Sequence, residues 1–167
     1  MPETHLIDSL EFAKQSLEIH DKIRASRFSG LQDMLPDGGG ELEYRLFGGR
    51  FGRDRPMLRL QVVGVLNVRC QHCLGEMKYP VDISKDFVMV ADESAIPEDE
   101  FDDDEADYLV ADRKLNVAAL VEEEILLSLP LVLRHESGCS GEPVPASTGK
   151  PNPFQVLEGL RKKSQQV

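Results

Sequence analysis

Residues 57–69 read MLRLQVVGVLNVR, and this stretch decides the fold. Its valines and leucines suit a pleated, buried strand. Two neighbouring segments, residues 41–46 and 77–90, alternate apolar with polar side chains, as half-buried strands do. Gly64 predicts a bulge, and Pro80 predicts a strand edge or a strand start. Three strands with short connections predict a small antiparallel sheet, either a meander or a partial barrel.

The segments before and between these strands are predicted from glycines and from helical spacing. The N-terminal region has a capping pattern at Asp8 and apolar residues at helical spacing, so we expect its first forty residues to be helical. Glycines at 38–40 end this region in a turn. Gly48-Gly49 predicts a second turn, followed by an arginine-rich loop over residues 50–55.

One long helix is predicted after the strands. Asn116 is a suitable N-cap, and Pro130 ends the helix after Leu129. Apolar side chains recur at every fourth position and are expected to face the sheet, at Val117, Val121, Ile125 and Leu129. A further short strand is predicted at residues 108–110. The fold class is therefore α+β, with the sheet packed by one or two helices.

Charge and composition predict the domain organisation. Residues 92–107 carry ten acidic residues and no Lys or Arg, which predicts an acidic mobile linker. We expect residues 1–140 to form a single α+β domain that contains this linker. Residues 141–167 are expected to be a flexible tail, in which Asn152 and Pro153 begin a short helix over 153–163.

The overall composition excludes several classes of protein. The chain has 167 residues and a net charge of −11, and no apolar run approaches the roughly 18 residues that span a bilayer. The N-terminus lacks the pattern of a signal peptide, so we expect a soluble cytoplasmic protein without membrane partners. The sequence has no serine-hydrolase, zinc-protease or Walker A motif. Nothing in it requires an enzyme or a small-molecule substrate.

Basic residues concentrate between Tyr44 and Lys78, where seven cations face two acids. Arginine binds phosphate groups, and an aromatic side chain can stack on a base, so this segment is a candidate RNA-binding surface. The candidate residues are Arg45, Arg50, Phe51, Arg53, Arg55, Arg59 and Arg69. A solvated hairpin loop without a ligand is the alternative interpretation.

The three cysteines suggest metal binding. Cys70 and Cys73 form a C-x-x-C turn between two strands, and His135 and Cys139 follow the predicted helix. Together these side chains would make a Cys3His structural zinc site. A thioredoxin-like pair is disfavoured because that motif opens a helix, whereas this one connects strands. Ordinary free thiols remain the alternative.

Several of these motifs, in this order, resemble the YceD family of large ribosomal RNA subunit accumulation proteins. The resemblance rests on the C-Q-x-C motif, the acidic insert, the helix VEEEILLSLP at 121–130, the His135/Cys139 pair and the tail motif PNPFQVL at 151–157. It extends from about Leu42 to Lys162. Many relatives have two cysteines after the helix, and His135 stands at one of these positions.

The resemblance implies a non-enzymatic factor that promotes synthesis, processing or stability of large-subunit (23S) rRNA and assembly of the large ribosomal subunit. The expected partner is rRNA or a pre-large-subunit particle. The alternative is an acidic adaptor that binds a ribosomal protein or an rRNA-processing factor through its linker and C-terminal helix. The candidate partner-binding residues are Asn152, Pro153, Phe154, Leu157 and Leu160.

Overall fold

The computed structural model describes residues 5–36, 39–96, 106–136 and 139. Its strands are β1 (Leu6–Ile7), β2 (Glu18–Arg24), β3 (Gly40–Phe51), β4 (Arg55–Arg69), β5 (Glu76–Val90), β6 (Asp107–Val110) and β7 (Leu115–Asn116). Its α-helices are α1 (Ser9–Lys14) and α2 (Val117–Ser128). Short 3-10 helices span Ala25–Arg27, Ser29–Met34 and Glu93–Ala95. The α+β class is confirmed.

The main sheet has the order β2-β3-β4-β5-β6, and β1 pairs with β7 in a separate two-stranded sheet. Strands β2 to β5 form an antiparallel meander, as predicted. The expectation of a purely antiparallel sheet is wrong at its edge, because β6 runs parallel to β5. The register pairs Phe87 with Asp107 and Val90 with Val110, so β6 lies beside the last four residues of β5 and runs in the same direction.

The prediction of an entirely helical N-terminal region is also wrong. Asp8 caps α1 by accepting the Glu11 N–H at 3.1 Å, but this helix has only six residues. The chain then continues as β2, in which Ile19 and Ile23 turn towards the core while alternate polar residues face solvent. This period of two is the signature of a strand, and β2 forms one edge of the meander.

The glycines have different roles from those predicted. Gly48 and Gly49 lie inside β3, and the hairpin turn consists of residues 52–54 instead, with Gly52 at φ +61°. Gly64 makes no bulge, since the register of β4 with both neighbours is continuous through it. A side chain at Gly64 would instead meet the Glu41 carbonyl oxygen at 2.7 Å, so this glycine allows β3 and β4 to pack closely.

The predicted edge position of Pro80 is confirmed. Among the described residues β5 pairs with β6 only over 87–90, so the start of β5 lies at an edge of the sheet. Proline has no N–H to donate, and at this edge no strand requires one.

The acidic segment is described only at its ends. Asp92 caps the 3-10 helix after β5, and Asp107 begins β6 and accepts from Lys85 at 2.9 Å. The predicted mobile linker otherwise lies outside the described residues.

Helix α2 covers one face of the sheet, as its sequence pattern predicts. Asn116 caps it by accepting the Ala119 N–H at 3.2 Å. Val117, Val121 and Ile125 are fully buried. They share one core with α1, the 3-10 helix Ser29–Met34 and the inward side chains of β3, β4 and β5. The opposite face of the sheet carries mainly polar side chains.

Candidate metal centre and nucleic-acid interface

The first half of the cysteine cluster is a tight turn between β4 and β5. The Cys70 N–H donates to the Gly75 carbonyl at 2.8 Å, and the Leu74 N–H donates to the Cys70 carbonyl at 3.0 Å. Leu74 adopts φ +60°, a left-handed conformation that costs free energy in a non-glycine residue. The turn folds back on itself and places the Cys70 and Cys73 thiols on the same side.

The second half of the cluster comes from the segment after α2. Leu133 is 2% exposed, and its carbonyl accepts the Gln71 N–H at 2.8 Å, which holds this segment against the cysteine turn. His135 follows two residues later. Its Nε2 lies 3.3 Å from the Glu76 carbonyl, so a proton on Nε2 leaves the Nδ1 lone pair free to bind a metal.

The structure brings all four predicted ligands together. Their ligand atoms lie within 4.8 Å of one another. The Cys70 and Cys139 sulfurs are 3.4 Å apart, and His135 Nδ1 lies 3.6 Å from the Cys73 sulfur and 3.6 Å from the Cys139 sulfur. A tetrahedral zinc site separates two sulfurs by about 3.8 Å and sulfur from nitrogen by about 3.6 Å. The arrangement therefore fits a single four-coordinate ion.

The thiols of the cluster have unequal acidities. The Cys73 N–H, followed by those of His72 and His135, lowers the pKa of Cys70 to about 5, against the opposing effect of desolvation. Burial, together with the neighbouring sulfurs, raises the pKa of Cys139 to about 11. A cation held between these sulfurs reverses the second effect, because it favours the thiolate form of every ligand.

The predicted RNA-binding residues do not form one patch. Arg50, Phe51, Arg53 and Arg55 lie at the tip of the β3–β4 hairpin. Arg45 and Arg59 lie halfway along these strands, and Arg69 lies beside the cysteine turn. Since β4 has fifteen residues at about 3.3 Å each, Arg55 and Arg69 are separated by about 45 Å.

Several of these arginines are paired with acids. Arg59 makes a two-bond contact with Asp86 at 2.6 Å, which raises the pKa of the guanidinium through hydrogen bonding and charge. Arg50 contacts Asp54 at 2.8 Å, and Arg45 lies 3.8 Å from Glu43. These ion pairs reduce the charge that each cation offers to a ligand.

The hairpin tip combines arginines with an aromatic ring. Arg55 lies over the Phe51 ring at 5.2 Å, a cation–π geometry, and its Nη1 is 3.4 Å from the Tyr108 hydroxyl. Arg53 is exposed in the turn and makes no ion pair within the described part of the chain. The tip therefore places arginines beside an aromatic ring, a combination of side chains that can contact RNA.

A comparison with protein families matches residues 58–161 to the family described as large ribosomal RNA subunit accumulation protein YceD. The match covers more than half of the chain. The chain belongs to the YceD family. The matched region of this YceD protein begins in β4 and includes both halves of the cysteine cluster. Searches of curated proteins and of solved structures find no match.

The match starts later than the resemblance in the sequence indicated, so it leaves out the hairpin tip and its arginines. It does include the tail motif. The predicted helix over 153–163 lies outside the described residues. So do the candidate partner-binding residues, Asn152, Pro153, Phe154, Leu157 and Leu160. No helix in the described ranges is long and apolar enough to cross a membrane.

Sequence reasoning missed a groove beside the metal cluster. It has a volume of about 780 Å³ and lies between the start of β5, Glu76–Pro80, and the segment Pro130–Glu136. The apolar pair Leu131-Val132 could have indicated this surface from the sequence. It follows Pro130, which ends the helix, and so extends the apolar side chains beyond the helix.

Proposed function

We propose that this protein promotes the accumulation of large-subunit (23S) rRNA as a non-enzymatic factor that binds rRNA or a pre-large-subunit particle. The family match over residues 58–161 carries the proposal, because the family is named for large ribosomal RNA subunit accumulation. The hairpin tip supports the RNA contact, since it places the Arg55 guanidinium over the Phe51 ring and exposes Arg53 in the turn. We place the protein in the cytoplasm, where the large subunit is assembled.

We assign the buried polar groups to the fold and not to catalysis. Within the described ranges two polar residues are buried, Ser9 and Glu124. The Ser9 hydroxyl accepts the Asp112 N–H at 2.9 Å and joins α1 to the loop before β7. Burial raises the pKa of Glu124, and Lys85 acts in the opposite direction. The charges of Asp107 and Glu123 act in the same direction as burial.

The cysteine cluster belongs to the same proposal as a structural zinc site. Cys70, Cys73, His135 and Cys139 would hold the ion, and zinc would supply a four-coordinate cross-link without an open position for catalysis. The cross-link joins the β4–β5 turn to the segment after α2. It would therefore hold His135 and Cys139, and one wall of the groove, against the sheet.

Reversing charge at the hairpin tip tests the RNA contact. We expect Arg50→Glu combined with Arg53→Glu to weaken binding to large-subunit rRNA by about tenfold or more, and to reduce the salt dependence of log K by about one for each phosphate group that the variant no longer binds. The measurement is a binding titration at several salt concentrations. In cells depleted of the protein, the same variant should restore less large-subunit rRNA, relative to small-subunit rRNA, than the parent chain does.

The matched control is Arg113→Glu with Lys114→Glu, which makes the same change in charge on an exposed loop before β7. It should bind RNA with the parent affinity and restore the parent rRNA ratio. Equal binding by the tip variant and the parent at all salt concentrations would remove the tip from the mechanism. An unchanged rRNA ratio on depletion would reject the function itself.

A further inference from the structure

The surface around the end of α2 is unusually apolar. Leu127 is 73% exposed, Leu131 is 98% exposed and Val132 is 56% exposed. Isolated exposed leucines are ordinary, but here three large apolar side chains are exposed within six residues. Val132 also lines the groove beside the metal cluster, so this surface adjoins the groove.

The groove is lined by apolar and by charged side chains. Met77, Tyr79 and Pro80 line it from β5, and Pro130 and Val132 line it from the opposite side. Its charged lining residues are of both signs and follow the two walls: Glu76, Lys78, Arg134, His135 and Glu136. Sites that bind apolar side chains combine apolar lining residues with a few polar or charged groups. The volume of about 780 Å³ accommodates a few large side chains.

The chain itself supplies a segment that fits. Cys139 belongs to the cluster beside the groove, and 28 residues follow it in the given sequence. Phe154, Leu157 and Leu160 recur at helical spacing in the tail. Phe154 lies fifteen positions after Cys139, and such a length of chain reaches up to about 50 Å, so the tail can reach every part of the groove.

We propose that the groove between Glu76–Pro80 and Pro130–Glu136, with the adjoining Leu131, docks the apolar residues of the chain's own tail, Phe154, Leu157 and Leu160. Because the tail and the groove belong to one chain, the effective concentration of the tail at the groove is high, and weak contacts suffice for docking. A short helix is unstable alone in water, and docking its apolar side stabilises it. Binding of the tail to another molecule then requires its release from the groove.

Hydrogen exchange in the full chain tests this docking. We expect the amides of residues 154–160 to exchange about tenfold slower, or slower still, than those of a free peptide spanning 151–163. Leu131→Asp with Val132→Asp should abolish this protection, because two charges would enter the apolar surface. Both residues are exposed, so the variant should retain the parent Tm.

The matched control is Val63→Asp, at a valine that is 45% exposed on the outer face of the sheet. This variant should keep the protection. The proposal is overturned if residues 154–160 exchange like the free peptide, or if their protection survives Leu131→Asp with Val132→Asp. Protection that falls on dilution would also overturn it, because the tail would then dock onto a second copy. None of these outcomes depends on RNA binding, so the docking and the proposed function can fail separately.

Discussion

At the proposed zinc site, Cys70→Ser should abolish zinc binding and lower the Tm of the protein by about 10 °C or more. The binding of structural zinc contributes about 10–16 kcal/mol to the free energy of folding in zinc-finger peptides. A loss of about 4 kcal/mol, roughly a third of this, would lower the Tm of a chain of this size by such an amount. Cys70 is fully buried and its sulfur lies 3.4 Å from that of Cys139, so serine can neither ligate zinc as well nor fill the space of the sulfur.

We expect a large effect because the zinc ion would connect residues that are far apart in the sequence. Cys73 and His135 are 62 residues apart, and ordering so long a segment costs conformational entropy. Without the ion, the segment after α2 is held at the turn by the Gln71–Leu133 backbone bond and the burial of Leu133. Loss of zinc should therefore free this segment before the rest of the sheet unfolds.

The measurement is the zinc content of protein purified under reducing conditions, together with thermal unfolding with and without a chelator. We expect one zinc per parent chain and none in Cys70→Ser. His72→Ala is the matched control, since His72 lies in the same turn but is exposed and outside the cluster. It should retain the zinc and the parent Tm. A parent chain without zinc, whose three cysteines all react as free thiols, would contradict the structural site.

The cysteine cluster shows how much of the site could be predicted from the sequence. The C-x-x-C spacing and the later His135/Cys139 pair predicted the four residues, and the structure brings them together. The contacts that orient them were not predictable, because they are made by backbone atoms: the Glu76 carbonyl beside His135 and the Leu133 carbonyl that holds Gln71. Backbone positions follow from the fold and leave no mark in residue type.

The positions of the candidate RNA-binding arginines relative to one another could not be predicted from the sequence, because they depend on strand geometry. Residues close in sequence are far apart in an extended strand, so a cluster in the chain became a row along β3 and β4. The acid that pairs with Arg59 comes from β5, 27 positions later. Such a partner is found only when the register is known. Likewise β2 was missed because two isoleucines among charged residues give a weak period-two signal.

Gly48→Ala should destabilise the protein by about 3 kcal/mol and lower its Tm by about 9 °C, whereas Gly49→Ala should have little effect. An added Cβ at Gly48 would overlap the Phe12 carbonyl oxygen and lie 2.8 Å from the carbonyl carbon and 2.9 Å from the Cα of Ala13. These are backbone atoms of α1, so the clash is relieved only if the helix moves. At Gly49 the nearest atom is the flexible end of Met57, at 3.6 Å.

The two glycines are adjacent in β3 and looked alike in the sequence, where together they predicted a turn. In the structure the Gly48 N–H donates to the Leu17 carbonyl at 2.8 Å, which brings the backbone after α1 against β3 at a distance that a side chain would prevent. Thermal and denaturant unfolding of the two alanine variants measures this difference. Equal stability of both variants would mean that α1 does not pack here, and that the core formed by Phe12 and Ala13 is arranged differently.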